Sequence, residues 1–222
     1  MKAYQIKIEF IDSKPKIWRR VVMPADATFN RLNDVIQTVT NFISGYPYGD
    51  YHLYEFDLTE DNIKVTNDKE AFEEHKYFKN NTKEMKEKIN NMPDKFDVFK
   101  KQTLQELETE IKKPSYIKID KFLKIYNEIN YIYDFGDYWQ IKIKFEKEID
   151  HYEKGYPTLI DGKNNAPPED IGGLEGFYNF LEKYNNPKHP EHEFIKDWAK
   201  SQHYHKYNKD WINELLKSIK YK

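Results

Sequence analysis

Residues 131–145 read YIYDFGDYWQIKIKF. Tyr131, Tyr133 and Phe135 alternate with Ile132 and Asp134, and beyond Gly136 and Asp137 the residues Trp139, Ile141, Ile143 and Phe145 alternate with Gln140, Lys142 and Lys144. Alternation of period two on both sides of a Gly- and Asp-containing turn describes two tightly joined strands, one face apolar and the other wet. A ribbon this aromatic belongs in the middle of a sheet, with the rest of the chain wrapped on it.

Tyr4–Phe10 repeats the pattern, with Tyr4, Ile6, Ile8 and Phe10 set against Gln5, Lys7 and Glu9. A turn at Asp12–Pro15 leads to a second strand over Ile17–Val22, which stops before Pro24. Asp26 or Thr28 can cap a helix whose apolar residues Leu32, Val35, Ile36, Val39 and Phe42 follow helical spacing. Tyr51–Leu58 reads as a third strand. Strand, strand, helix, strand is the order of a grasp-like α+β unit.

The segment 59–123 differs, being rich in Lys, Glu and Asn with sparse apolar positions. It reads as helices near 68–92 and 94–111, closed by Pro114. On this division, 1–58 and 124–222 form one α+β core, and 59–123 is a mainly helical insertion packed on its edge or an arm for a partner. Residues 156–173, YPTLIDGKNNAPPEDIGG, are dense in Gly, Pro, Asn and Asp and read as an ordered irregular loop. Helices over 174–184, 191–201 and 209–219 close the chain.

Composition narrows the chemistry. The 222 residues carry a formal charge of −2, so nothing draws the whole molecule to phosphate backbones. The chain has no cysteine, which excludes disulfides, thiolate metal sites and cysteine nucleophiles. The opening MKAYQIKIEF is a strand, not the apolar stretch of a secretion signal, and no apolar run is long enough to span a membrane. A cytoplasmic location is the expectation.

The segments PKIWRRVVMPADATFNRLNDVIQ, HLYEF, YDFGDYW, YPTLIDGKNNAPPEDIGG and NPKHPEHEFIKDW stand in the order found in the Ri-plasmid ORF-3-like family, which this chain resembles over 3–58 and 124–216. The family includes passenger proteins of insertion elements. The resemblance implies an α+β core carried on mobile DNA and no assigned activity. Family members often place cysteines where this chain has Leu159 and Ala166, and a histidine where it has Ile141. Those departures remove soft and nitrogen ligands from a metal-enzyme reading.

Asp134-Phe135-Gly136 matches the magnesium triad of kinases, but the glycine-rich loop, strand lysine and catalytic loop that a kinase needs are absent. As a turn, Gly136 permits positive φ and the Asp137 carboxylate accepts backbone N–H groups. Alternatively Asp134 and Asp137, joined by Glu169 and Asp170, make an oxygen-rich site for Mg2+ or Ca2+. That site requires the hairpin and the PPED loop to meet, which spacing alone does not show. His52 reads as a half-buried, hydrogen-bonded histidine. His189 and His192, with His203 or His205, are a weak zinc pattern.

Trp18, Arg19, Arg20 and Arg31 are recognition candidates, and Arg19 and Arg20 face opposite sides of a strand. The arginines can instead pair with the acidic turn at Asp134 or Asp137. Tyr46, Tyr48, Tyr51 and Tyr54, with His52, surround a Gly-Pro loop and suit a protein-binding surface. The leading expectation is a mobile-element or phage-associated interaction protein that binds a protein or ribonucleoprotein, with counter-defence inhibition one form of it. The alternatives are a divalent-metal-dependent enzyme acting on phosphate esters, and a nucleic-acid-binding module built on the arginines and tyrosines.

Overall fold

The alternation becomes pairing in the computed structural model, which describes residues 1–43 and 52–219. The described strands are β1 (Ala3–Phe10), β2 (Trp18–Pro24), β3 (Tyr54–Leu58), β4 (Ile63–Thr66), β5 (Glu110–Lys112), β6 (Glu128–Tyr133), β7 (Trp139–Ile149) and β8 (Thr158–Lys163). They form one sheet in the order β5-β4-β3-β6-β7-β1-β2-β8. All neighbours are antiparallel except β4 and β5. The aromatic hairpin β6–β7 thus occupies the centre, between β3 and β1.

The helices are α1 (Phe29–Val39), α2 (Lys69–Asn90), α3 (Asp97–Glu108), α4 (Leu123–Tyr126), α5 (Gly173–Asn185), α6 (His192–Ser201) and α7 (Lys209–Leu216). Alternation assigns Ile6, Ile8, Val21, Phe56, Tyr131, Tyr133 and Ile141 to one buried face, all fully covered. α1 lies across that face, with Phe29 edge-on to Phe56 at 4.9 Å, and its N-cap is Thr28, whose hydroxyl accepts from the Arg31 amide. The opposite face is wet and bears pairs such as Arg20–Glu146 and Lys142–Glu128.

Three segments depart from the sequence reading. The loop 156–173 contains β8, an edge strand joined to β2. Only Leu159 among its side chains is buried, so its own pattern is too weak to announce a strand. The outer edge of β8 is covered by Asn213 of α7, which accepts from the Leu159 amide and donates to its carbonyl. Second, within 59–123 the strands β4 and β5 extend the sheet, and Val65, Ile119 and Leu123 join the main core. What stands off is α2 and α3, in which Ile89 alone is buried. Third, the third strand begins at Tyr54, leaving His52 and Leu53 ahead of it.

Candidate metal centre

The hairpin turn puts its two aspartates to different uses. The left-handed residues are Asp134 and Tyr138, both at φ 54°, where the sequence reading placed positive φ on Gly136. Aspartate tolerates this region because its short side chain bonds locally. Here Asp134 Oδ1 accepts from the Gly136 amide at 3.0 Å. Glycine at 136 also leaves room for that contact, since a Cβ there would stand 3.2 Å from Asp134 Oδ1.

Asp137 turns the other way and reaches the PPED loop. Its carboxylate accepts from the Ile171 amide at 3.0 Å and the Gly172 amide at 3.1 Å, at the N-terminus of α5. An anion there meets both unsatisfied amides and the positive end of the helix dipole. The hairpin and the loop therefore meet, and Asp137 is the fastener between them. Asp137, expected among the metal ligands, instead has both oxygens on amides and does not stand in the group formed by His52, Asp134 and Glu169.

The fastened loop carries Glu169 into the core, where it is 3% exposed. Its Oε1 accepts from the Tyr133 hydroxyl at 2.7 Å and the Ile43 amide at 2.6 Å. Asn41 holds the same loop further back, donating to the Ala166 carbonyl at 2.7 Å. A buried carboxylate is costly unless donors meet it, and the hairpin and the segment after α1 supply them.

His52 completes the group. Its Nδ1 lies 3.5 Å from Asp134 Oδ1, and its Nε2 lies 3.4 Å from Glu169 Oε2 and 3.7 Å from Asp170 Oδ1. One donor atom each from His52, Asp134 and Glu169 fall within 4.8 Å of one another. The two short approaches run through different ring nitrogens, so an ion held by one nitrogen would draw the three donors from within that 4.8 Å envelope. The three residues are buried, while the Asp170 side chain at the rim is 62% exposed. Of the four acids expected to converge, Asp134 and Glu169 do so, Asp170 flanks them and Asp137 does not.

The arginines are engaged elsewhere, which corrects the expectation that they pair with the acidic turn. Arg19 is buried. Its Nε donates to the Val39 carbonyl at 2.8 Å, and its Nη1 donates to the carbonyls of Trp18 and Lys163. Tyr207 lies 4.3 Å over the guanidinium. A cation at the C-terminal end of α1 is favoured by the helix dipole, which explains why carbonyls suffice as its partners. Burial still pulls the guanidinium down to about 10.

Arg20 forks onto Glu146 at 2.7 and 2.8 Å, and Arg31 pairs with Asp34 at 2.9 Å. Trp18 sits on the wet face with Arg20 at 5.1 Å and Lys7 at 5.3 Å from its ring. Tyr54, expected on an interaction surface, is instead 1% exposed in the core because β3 turns it inward. Tyr46, Tyr48 and Tyr51 lie outside the described residues. The histidine pattern resolves into backbone contacts: His192 Nδ1 lies 3.0 Å from the Lys183 carbonyl, and His189 Nδ1 accepts from the Glu191 amide. Ile141, Leu159 and Ala166 are core residues, so the positions lacking histidine and cysteine carry packing.

A protein-family model described as plasmid pRiA4b ORF-3-like protein matches residues 2–214. The chain belongs to that family. The match runs through 59–123 as well as the flanking blocks. An uncharacterised protein, y4hQ, of Sinorhizobium fredii (strain NBRC 101917 / NGR234) is 24% identical over 200 residues, covering 90% of this chain and 82% of that protein. A crystal structure of MM3350, a protein of unknown function from Methanosarcina mazei Go1, is similar at 27% identity with a TM-score of 0.61, over 89% of this chain and 88% of that one. For this member of the pRiA4b ORF-3-like family, function is therefore argued from the site itself.

Proposed function

We propose that the protein binds a divalent cation at His52, Asp134 and Glu169, and that the ion serves hydrolytic chemistry on a phosphate ester. The observation that carries this reading is the meeting of one imidazole and two carboxylates from three distant segments, the carboxylates oriented by the Gly136 and Ile43 amides and the Tyr133 hydroxyl. Three protein donors leave coordination positions for water or substrate, as in a catalytic metal site, and the exposed Asp170 carboxylate lies beside them. A structural site closes its coordination with protein. Phosphate esters are the class to assay because their non-bridging oxygens suit a cation held by carboxylates.

Elemental analysis after dialysis against Zn2+, Mn2+, Mg2+ or Ca2+ tests the binding, with hydrolysis of p-nitrophenyl phosphate and its diester as the activity readout. The reading expects one ion per chain, lost in His52→Ala and Glu169→Gln, and turnover that follows the ion. Folded wild type that retains no ion above background contradicts it.

A second reading keeps the leading expectation from sequence, a mobile-element interaction protein with a protein or ribonucleoprotein partner. It is favoured by the aromatics that α2, α3 and the turn between them leave outside: Tyr77 at 60%, Phe96 at 44% and Phe99 at 52% exposure. Exposed aromatics supply rigid contact area for a partner.

A further inference from the structure

We propose that the centre takes a first-row transition-metal dication in preference to Ca2+ or Mg2+, and that Tyr133 sets this preference; the inference rests on the metal-binding reading and narrows it. Glu169 Oε1 is already engaged by the Tyr133 hydroxyl at 2.7 Å and the Ile43 amide at 2.6 Å. The other oxygen, Oε2, faces His52 Nε2 at 3.4 Å. Glu169 is therefore presented to an ion through one oxygen. Ca2+ collects roughly six to eight oxygens, often through bidentate carboxylates, and Mg2+ favours an octahedral oxygen set. One imidazole with a singly presented glutamate suits Zn2+ or Mn2+ better.

Tyr133 is built to hold that oxygen. The residue is completely buried, and its ring stacks on Phe42 at 4.5 Å and on Tyr131 at 6.3 Å with 10° between planes. The hydroxyl is thereby aimed at Glu169 by packing on both sides. Tyr133→Phe keeps the ring and removes one of the two donors on Oε1, leaving only the Ile43 amide, so Oε1 can be shared with the ion and Glu169 can approach bidentate binding.

The test is calorimetric titration of Zn2+, Ca2+ and Mg2+ into wild type, Tyr133→Phe, His52→Ala and Tyr131→Phe. The Tyr131 hydroxyl donates to Asn33 at 2.7 Å, away from the centre, so that variant is the packing control. Zn2+ binding that survives His52→Ala belongs to other histidines and counts as none at this centre. Wild type should prefer Zn2+, and Tyr133→Phe should lower the Zn2+-over-Ca2+ affinity ratio by about tenfold, the usual scale for a partner that orients a ligand. Tyr131→Phe should leave the ratio unchanged. A fold merely loosened would weaken every ion alike. Wild-type preference for Ca2+ or Mg2+, or an unchanged ratio in Tyr133→Phe with Zn2+ still held at His52, overturns the inference and leaves the metal reading intact. No binding of any of these ions at His52 overturns both.

Discussion

Arg19 shows how a charge can be structural with no counter-ion among the described residues. Three main-chain carbonyls, from Trp18, Val39 and Lys163, accept from its guanidinium and so tie α1 to β2 and β8. Losing such a group leaves the buried Val39 carbonyl unmet, at about 1 to 3 kcal/mol, and opens a cavity, while the part-buried Trp18 and Lys163 carbonyls also lose their donor. Arg19→Ala should therefore destabilise by at least about 3 kcal/mol in urea unfolding, and Arg19→Lys should recover only part, since an ammonium lacks the planar fork. Arg20, its neighbour, acts on the other face through Glu146. The Arg20 hydrogen bonds hold the Glu146 carboxyl below its ordinary value of 4.5. A carboxyl lowered on folding contributes stability that is present above that ordinary value and is lost as pH falls through the folded one. Thermal midpoints of wild type should fall more steeply below pH 4.5 than those of Glu146→Gln, and parallel curves would refute the pairing.

At the scale of elements, the coupling of the hairpin to α5 is the decisive contact. Asp137→Ala removes the acceptor for the Ile171 and Gly172 amides and should destabilise by about 1 to 3 kcal/mol. It should also weaken metal retention, because the loop holding Glu169 loses its anchor. An unchanged metal content with reduced stability would separate the two roles. The strand pattern of this hairpin, the helix after Thr28 and the three closing helices were legible in sequence, because each has one strongly apolar face. β8 and β5 were not, since short edge strands take their hydrogen bonds from a neighbour and need little apolar pattern of their own. The turn was legible as a turn, but not its division of labour. Nothing local says that Asp134 faces inward while Asp137 reaches another loop.

The whole molecule explains why the centre escaped a reading by motif. His52, Asp134 and Glu169 belong to the approach to β3, the end of β6 and the loop before α5, and only the order β3-β6-β7 brings those ends together. His52 read as a satisfied polar residue, and Glu169 as one acid among several. The other end of the sheet carries α2 and α3, whose exposed aromatics make no use of the centre. Replacing Tyr77, Phe96 and Phe99 together by serine should leave stability within about 1 kcal/mol, since exposed positions contribute little. It should leave metal retention unchanged while lowering recovery of any partner from host lysate. Equal recovery would remove the interaction reading.

The central claim is that three donors folded together at the end of the aromatic hairpin hold an ion. Anomalous diffraction from crystals grown with Zn2+, collected on both sides of the zinc edge, addresses it directly. The account predicts a peak about 2 Å from His52, Asp134 and Glu169, absent from Glu169→Gln crystals. Crystals that place zinc only on other histidines, with a hydrogen-bonded His52 closing directly on both carboxylates, would contradict it.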